Sequence, residues 1–340
     1  MCLPWLKRCF LALVAAHSTV VWSLPAARDT AGVRFAAGTA SSNRYPAWRA
    51  AAAQTLSVRK DAQSLATAAA LRFLAPARPK GDFAAARLAA VELAAKASDL
   101  DPDNAGIGWL RLQLCAGTAG CDIRDAATTM RWVDADNSAV WMATLAAAQR
   151  DRDSEEVTRV LQEMAQGSRF DIYRNRTVVL LFDTLKQAED ALPAGYVPSD
   201  LSRLSEAMAV AGAEIVPPFA PLLAACRESS GAERRENCLK LSRLMQHGDT
   251  VSAQMAGFTI ERHLWSPDSK DARAVAERRR TLEWRVSAAS EYDAPALPWL
   301  TNALARARVR EMRAAPREED VDIAILRRHK IPLSPPENPP

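Results

Sequence analysis

The sequence is poor in the residues that sheets require. Its 340 residues include only 13 glycines and 4 tyrosines, and β-branched residues rarely follow one another. Strands are built from alternating runs of β-branched and aromatic residues, so this composition disfavours a sheet. Alanine, the best helix former, supplies much of the 49% hydrophobic fraction. The chain is therefore predicted to be all-α, with helices packed closely through small side chains.

Catalytic and nucleotide-binding motifs are also missing. The four histidines form no H-E-x-x-H, and there is no G-x-S-x-G, P-loop or G-x-G-x-x-G pattern. Ser57 and Lys60 fit S-x-x-K, but the companion motifs of penicillin-interacting enzymes are absent. In the one polar cluster, Asp249 is expected to cap the next helix, while Glu261 lies near His263, which suits a helix C-terminus. No catalytic residue, cofactor or metal site is predicted.

The charge balance argues against a nucleic-acid partner. The formal net charge is +4, and no basic stripe is interleaved with aromatic residues. The run Arg278-Arg279-Arg280 is short, and at helical spacing it is typical of a solvated face. Binding to DNA or RNA is therefore not expected.

The N-terminus has the features of a secretory signal. Lys7 and Arg8 precede an apolar run over residues 9–22, and small residues near position 23 offer a cleavage site. The run is shorter than the roughly 20 residues that cross a bilayer, so no membrane span is expected after the signal is removed. Residues 1–23 are predicted to be the signal peptide of a periplasmic or secreted protein. The alternative is an apolar helix that packs on the protein.

Four cysteines remain once the signal is removed, in two local pairs: Cys115 with Cys121, and Cys226 with Cys238. An even count in an oxidising compartment predicts disulfides, and three pairings exist. The local pairing is preferred because each pair flanks a predicted turn. A zinc site with four cysteine ligands is the alternative, although the spacing lacks C-x2-C knuckles.

One motif occurs twice. The sequence LDPDN at residues 100–104 precedes Trp109, and VDADN at residues 133–137 precedes Trp141. From Asn104 to Asn137 the interval is 33 positions, and between the tryptophans it is 32. A turn followed by a Trp-bearing apolar helix at this interval is typical of stacked helical hairpins.

Residues 83–165 resemble tetratricopeptide-type helical repeats. The likeness rests on the two turns, on the Trp-Leu pair at residues 109–110 and on the small residues at 126–127. It departs from the family where Ala135 replaces the turn proline, and the glycine between paired helices is only loosely matched. The full chain is also similar to exported helical proteins of proteobacteria that carry a local cysteine pair in the hairpin.

Proline-rich segments mark the predicted boundaries along the chain, and the segment from Pro193 to Pro198 is the main one. From the N-terminus the expected parts are the signal peptide, a flexible leader, the tetratricopeptide-like repeats, a C-terminal helical region and a disordered Pro-rich tail: residues 1–23, 24–44, 45–192, 199–329 and 330–340.

The resemblance implies antiparallel hairpins stacked as a short α-solenoid, with further helices on the C-terminal side. Such a stack has a concave face, which the family uses to bind peptides or proteins. Trp109 and Trp141 lie on the first helices of the hairpins, where they either anchor a ligand in the groove or fill the hairpin core. The chain is thus predicted to be a protein- or peptide-binding module of the cell envelope, its partner unknown. An envelope enzyme whose site matches no motif is the alternative.

Overall fold

The computed structural model describes residues 45–73, 83–116, 118–189, 199–214, 216–227, 231–293 and 301–336. The predicted signal, leader and linker at Pro193–Pro198 lie outside these residues. Within them the chain is all-helical and forms no strand. The helices are α1 (Tyr45–Ser57), α2 (Ala62–Phe73), α3 (Phe83–Leu100), α4 (Ala105–Ala116), α5 (Ile123–Val133), α6 (Met142–Arg150), α7 (Ser154–Gln166), α8 (Arg174–Lys186), α9 (Asp200–Glu214), α10 (Ala220–Arg227), α11 (Ala232–Gln246), α12 (Val251–Leu264), α13 (Lys270–Asp293), α14 (Thr301–Ala314) and α15 (Glu318–Arg328), with a 3-10 turn at Ser138–Trp141 before α6.

Side-chain caps fix the starts of several helices. Asp153 caps α7, because its carboxylate accepts the amide of Glu156 at 2.9 Å. Thr250 caps α12, because its hydroxyl accepts the amide of Ala253 at 3.3 Å. The prediction that Asp249 caps α12 is wrong, since its carboxylate points instead to the segment between α7 and α8.

One hydrophobic core runs through most of the described helices. Alanine allows the close approach: helix α2 is buried along most of its length, and Ala66, Ala68 and Ala70 are fully buried. Helices on both sides of the predicted linker share this core, because α9 packs on α8 and α2, and α14 packs on α8 and α9. From Asn43 onward the chain forms one compact unit.

The chain after α15 lies on α13. The indole of Trp284 donates to the carbonyl of Pro332 at 3.0 Å, and Arg285 donates to the carbonyl of Leu333 at 2.9 Å. Ile331 and Leu333 pack against the core. The start of the predicted Pro-rich tail is therefore packed on a helix, while residues 337–340 lie outside the described part of the chain.

Both local cysteine pairs lie at disulfide-bond distance, as the turns predicted. The Cα atoms are 5.3 Å apart in Cys115–Cys121 and 5.6 Å apart in Cys226–Cys238, which is disulfide geometry. The first pair ties the end of α4 to the residues just before α5. Among the described residues, no cluster of three or more metal-ligating side chains occurs, and no helix is long and apolar enough to cross a bilayer.

The two copies of the repeated turn share the same internal geometry. In the first, the Asn104 amide donates to the Asp101 carboxylate at 2.9 Å. In the second, the Asn137 amide donates to the Asp134 carboxylate at 2.8 Å. Each asparagine oxygen also accepts a backbone amide at the start of the next helical turn. The repeat seen in the sequence is thus repeated in side-chain contacts.

The second turn is buried beneath the segment between α7 and α8. The side-chain oxygen of Asn137 accepts the amide of Asp171 at 2.9 Å, and its NH₂ group donates to the Asp171 carbonyl at 2.8 Å. The Asp134 carboxylate accepts the guanidinium of Arg169 and the hydroxyl of Tyr173. We call these five residues the clasp.

Asp249 holds the clasp from the start of α12. Its two carboxylate oxygens accept the amides of Ile172 at 2.8 Å and Tyr173 at 2.7 Å, where Tyr173 has a left-handed φ of 58°. Burial raises the pKa of Asp249 to about 7, although the two amide hydrogen bonds act in the opposite direction. The clasp and Asp249 together join three parts of the chain that are far apart in sequence.

Candidate functional site

A groove of about 590 Å³ lies between α5, α6 and α7, within the size range of ligand-binding sites. We call it the α5–α7 groove. Apolar side chains line it at Ile123, Trp141, Ala143, Ala147 and Ala148. Charged side chains line it at Arg124, Arg131, Asp151, Asp153, Glu156 and Arg159.

The ring of Trp141 makes cation–π contacts with two guanidinium groups in this groove. The Cζ atom of Arg131 lies 4.6 Å from the ring centroid, and that of Arg159 lies 5.6 Å from it. Such cation–π contacts contribute about 0.5–1 kcal/mol at exposed sites. They hold a guanidinium in place while its N–H donors remain available to a ligand.

Arg159 is already neutralised by a neighbouring carboxylate. Its Nε and Nη2 atoms donate to the two carboxylate oxygens of Glu156 at 2.7 and 2.6 Å, a bidentate pair within the first turns of α7. This hydrogen bonding lowers the pKa of Glu156 and raises that of Arg159. Arg159 therefore contributes little net charge to a ligand.

Arg131 has no such partner. It is half-buried and donates to the hydroxyls of Thr128 at 2.8 Å and Thr144 at 3.3 Å, and no carboxylate in the described part of the chain pairs with it. Burial lowers the pKa of Arg131, and so does the charge of Arg159. The groove thus contains a partly desolvated cation that is stacked and oriented but makes no direct ion pair in the described part of the chain, and Glu156 acts on it only through longer-range attraction.

The opposite end of the groove has the opposite charge. Asp151 and Asp153 lie at the turn between α6 and α7, facing Arg124 from the first turn of α5. The contact between Arg131 and Thr144 fixes the positive end at the start of α6, and Asp151 follows the end of that helix. Seven residues of helix separate Thr144 from Asp151, about 10 Å at the α-helical rise. The groove is therefore positive at Trp141 and negative about 10 Å away.

Trp132 follows Arg131 on α5 and is not itself one of the side chains that line the groove. It lies one helical turn after Thr128, which lines the groove, and 85% of its surface is exposed. A tryptophan this exposed leaves a large apolar area in water, and aromatic residues of this kind are enriched at the centres of protein interfaces. Trp132 therefore offers an exposed apolar surface one helical turn from the groove-lining Thr128.

The structure places the two predicted groove residues differently. Trp109 is fully buried and packs in the core near Tyr173, with ring centroids 6.4 Å apart, whereas Trp141 is half-buried and lines the α5–α7 groove. Trp109 follows its turn asparagine by five positions and Trp141 by four, and one residue rotates a side chain by about 100° around a helix. Met142, at the fifth position of the second copy, is buried.

Arg131 and Trp132 were missed from the sequence, although a signal for the groove was present. The intervals of 33 and 32 positions between the asparagines and the tryptophans differ by one. That difference separates a core tryptophan from a groove tryptophan. The arginine beside it could not be found in this way, because its contact with Thr144 depends on how α5 and α6 are aligned.

The only polar cluster noted in the sequence does not converge on one site. Glu261 is buried, where its carboxylate accepts Gln246 and pairs with Arg278 at 2.8 Å. His263, two residues later on α12, is exposed. Residues two apart on a helix point to different faces, so these side chains do not form a joint acid–base site.

Comparisons of the chain with protein-family models, with curated proteins and with solved structures give no match. They bear neither on the tetratricopeptide resemblance nor on the likeness to exported helical proteins. The chemistry of the α5–α7 groove is what indicates a function.

Proposed function

We propose that this chain is an exported helical-repeat protein that binds another protein or a peptide in the α5–α7 groove. The observation that carries the proposal is Arg131, a half-buried cation stacked on Trp141 and hydrogen-bonded only to threonine hydroxyls within the described chain. Partly burying a cation that has no direct ion pair costs free energy, and a ligand carboxylate recovers it through charge-assisted hydrogen bonds.

In this proposal, residues 45–192 form a short α-solenoid of tetratricopeptide-like hairpins, and residues 199–329 add further helices. The repeated turn supports this arrangement, because Asn104 and Asn137 make the same contacts in both copies. Each helix from α1 to α6 also packs against the next helix along the chain.

Export is supported by the signal at residues 1–23 and by the two cysteine pairs at disulfide-bond distance. Such pairs are typical of proteins that fold in an oxidising compartment. The proposed place of action is therefore the periplasm or the cell exterior.

Binding, rather than catalysis, suits the chemistry of the groove. One oxygen of Asp153 is used to cap α7, and Glu156 is paired with Arg159. The hydroxyls of Thr128 and Thr144 accept hydrogen bonds from Arg131, and none of the described residues that line the groove is a histidine that could act as their base. The side chains are arranged to hold charges in place.

Site-specific photo-crosslinking tests the proposal. The full chain carries p-benzoyl-phenylalanine in place of Trp132 and is irradiated in an envelope extract of the cells that produce it. We expect one protein adduct that disappears when Arg131→Gln is added. The matched control carries the crosslinker in place of Tyr292, which is 43% exposed on α13, outside the groove. Identical adducts at both positions, or adducts indifferent to Arg131→Gln, would contradict the proposal.

A further inference from the structure

We infer that the α5–α7 groove recognises an extended internal segment of a partner protein in which an acidic residue lies about three positions from a basic residue, with small apolar residues between them. The inference rests on the proposed function and specifies the ligand of that same site. It follows from the order of charges along the groove, from the apolar surface between them and from the exposed tryptophan at one end.

The acidic residue is assigned to the Trp141 end. Arg159 is already paired with Glu156, whereas Arg131 donates only to threonine hydroxyls in the described part of the chain and is the guanidinium at this end without an ion pair. A carboxylate from a ligand would meet a guanidinium that is already stacked at 4.6 Å from the Trp141 ring centroid, so little side-chain ordering remains to be done on binding.

The basic residue is assigned to the other end. Asp151 lines the groove and makes no ion pair within the described part of the chain, and one oxygen of Asp153 remains after it caps α7. These two carboxylates outnumber the single guanidinium of Arg124 at that end. A lysine or arginine of the ligand would therefore be attracted there, while a second acidic residue would be repelled.

The spacing of three positions between the acidic and the basic residue follows from α6, the helix that lines the groove between its positive and negative ends. Thr144 and Asp151 are about 10 Å apart along the α6 axis. An extended peptide rises about 3.3 Å per residue, so about three residues span that distance. Over this length the ligand would lie on the methyl groups of Ala143, Ala147 and Ala148, which favour small apolar side chains over a hydroxyl-rich chain such as a polysaccharide.

Trp132 indicates that the bound chain continues beyond the carboxylate. The tryptophan follows Arg131 on α5, one helical turn after the groove-lining Thr128, and is 85% exposed. A ligand that ended at Arg131 with its terminal carboxylate would leave this ring in water. An internal acidic residue, preceded by an apolar residue that covers Trp132, would bury it. The carboxylate is therefore assigned to a side chain and not to a chain terminus.

Fluorescence anisotropy with a labelled, end-blocked peptide tests the inference on the full chain. The probe is acetyl-Leu-Glu-Ala-Ala-Lys-Ala-amide. Replacing its glutamate by glutamine, or introducing Arg131→Gln in the protein, should each weaken binding by about tenfold or more, as expected for a hydrogen-bonded charge pair. The two changes together should weaken it little further. Replacing the probe's lysine by glutamine should act with Asp151→Asn in the same non-additive way.

Arg280→Gln is the matched control, since Arg280 is an exposed arginine of α13 paired with Glu277. Its binding constant should equal that of the unaltered chain, and circular dichroism should show that Arg131→Gln remains folded. Equal binding of the glutamate and glutamine probes would overturn the inference. So would tighter binding of a peptide whose only carboxylate is its C-terminus, or displacement of the probe by an acidic polysaccharide at lower concentration.

The two proposals can fail separately. If no end-blocked probe binds while crosslinking at position 132 still depends on Arg131, the assigned ligand chemistry is wrong and the protein-binding function stands. If neither binding nor Arg131-dependent crosslinking is observed, both are overturned.

Discussion

The turn before α4 and the turn before α6 contain the same aspartate–asparagine pair, yet they lie in opposite surroundings. Asp101 and Asn104 of the first turn are partly exposed, whereas Asp134 and Asn137 of the second are buried. The tryptophans that follow show the reverse order: the one after the exposed turn is fully buried, and the one after the buried turn faces the groove.

This exchange shows two ways to stabilise one repeat. In the first copy, the buried side chain of Trp109 stabilises the repeat, and the turn itself is partly exposed. In the second copy, the clasp supplies a buried hydrogen-bond network, which holds the turn through Asp171 and Tyr173. Because polar contacts hold the second turn, Trp141 is not required in the core. Its ring faces the groove, where it stacks with the guanidinium groups of Arg131 and Arg159.

The largest expected effect separates the two tryptophans. Trp109→Ala should lower the free energy of unfolding by about 4 kcal/mol, because it empties a fully buried site. Trp141→Ala should lower it by about 1 kcal/mol, since its ring is half-buried and its main contacts are cation–π. Urea denaturation followed by circular dichroism measures both.

Met142→Ala is the control for the one-residue offset. Met142 is the buried counterpart of Trp109, so its truncation should cost about 2 kcal/mol, more than that of the larger neighbouring tryptophan. If Trp141→Ala proved as costly as Trp109→Ala, the two copies would be equivalent and the comparison would fail.

A smaller effect separates the two asparagines. Asn137→Ala should cost about 3 kcal/mol, because it removes hydrogen bonds to the buried Asp134 carboxylate and to both backbone groups of the half-buried Asp171. Asn104→Ala should cost about 1 kcal/mol, the usual loss for a helix cap near the surface. Thermal or urea unfolding of the two variants side by side provides the measurement, and equal losses would show that the clasp adds no stability.

The smallest effect concerns pH, and only the second turn should show it. Burial raises the pKa of Asp249 in the folded state from 3.8 to about 7, so the folded protein binds this proton more tightly than the unfolded chain does. Its contribution to stability is complete below about pH 4 and is lost as the pH rises through about 7. The unaltered chain should lose about 2 kcal/mol between about pH 5.5 and pH 8 that Asp249→Asn does not lose.

Only the slopes of the two pH profiles are compared, because an asparagine cannot accept both amides and is less stable at every pH. Parallel profiles for the two proteins would show that Asp249 is ionised across this range. Amide hydrogen exchange at Ile107, in the first turn, should follow the same course in both proteins.

Local features were predictable from the sequence, and long-range ones were not. The all-helical class follows from alanine content, and the cysteine pairs follow from the turns they flank. The contact between Asp249 and Ile172 joins residues 77 positions apart, and no local pattern encodes it. Asp249 was expected to cap a helix because its position suits that role, but its carboxylate instead accepts the tertiary hydrogen bond from Ile172.

The α5–α7 groove could be predicted from the sequence only in part. Trp141 could be identified, but whether it faced the core or the solvent depended on a rotation of about 100° that composition and motif do not reveal. That Arg131 makes no direct ion pair within the described residues depends on how three helices pack together. It becomes visible only when the side chains of α5, α6 and α7 are placed next to one another.

Helix α5 is anchored two positions before its first residue and immediately after its last. The Cys115–Cys121 pair holds its start to α4, and Asp134 of the clasp holds its end. The side chains at positions 124, 128 and 131 line the groove between these two anchors. Under the proposed function, substitutions at these positions would change the ligand that the groove accepts, while both anchors of α5 remain in place.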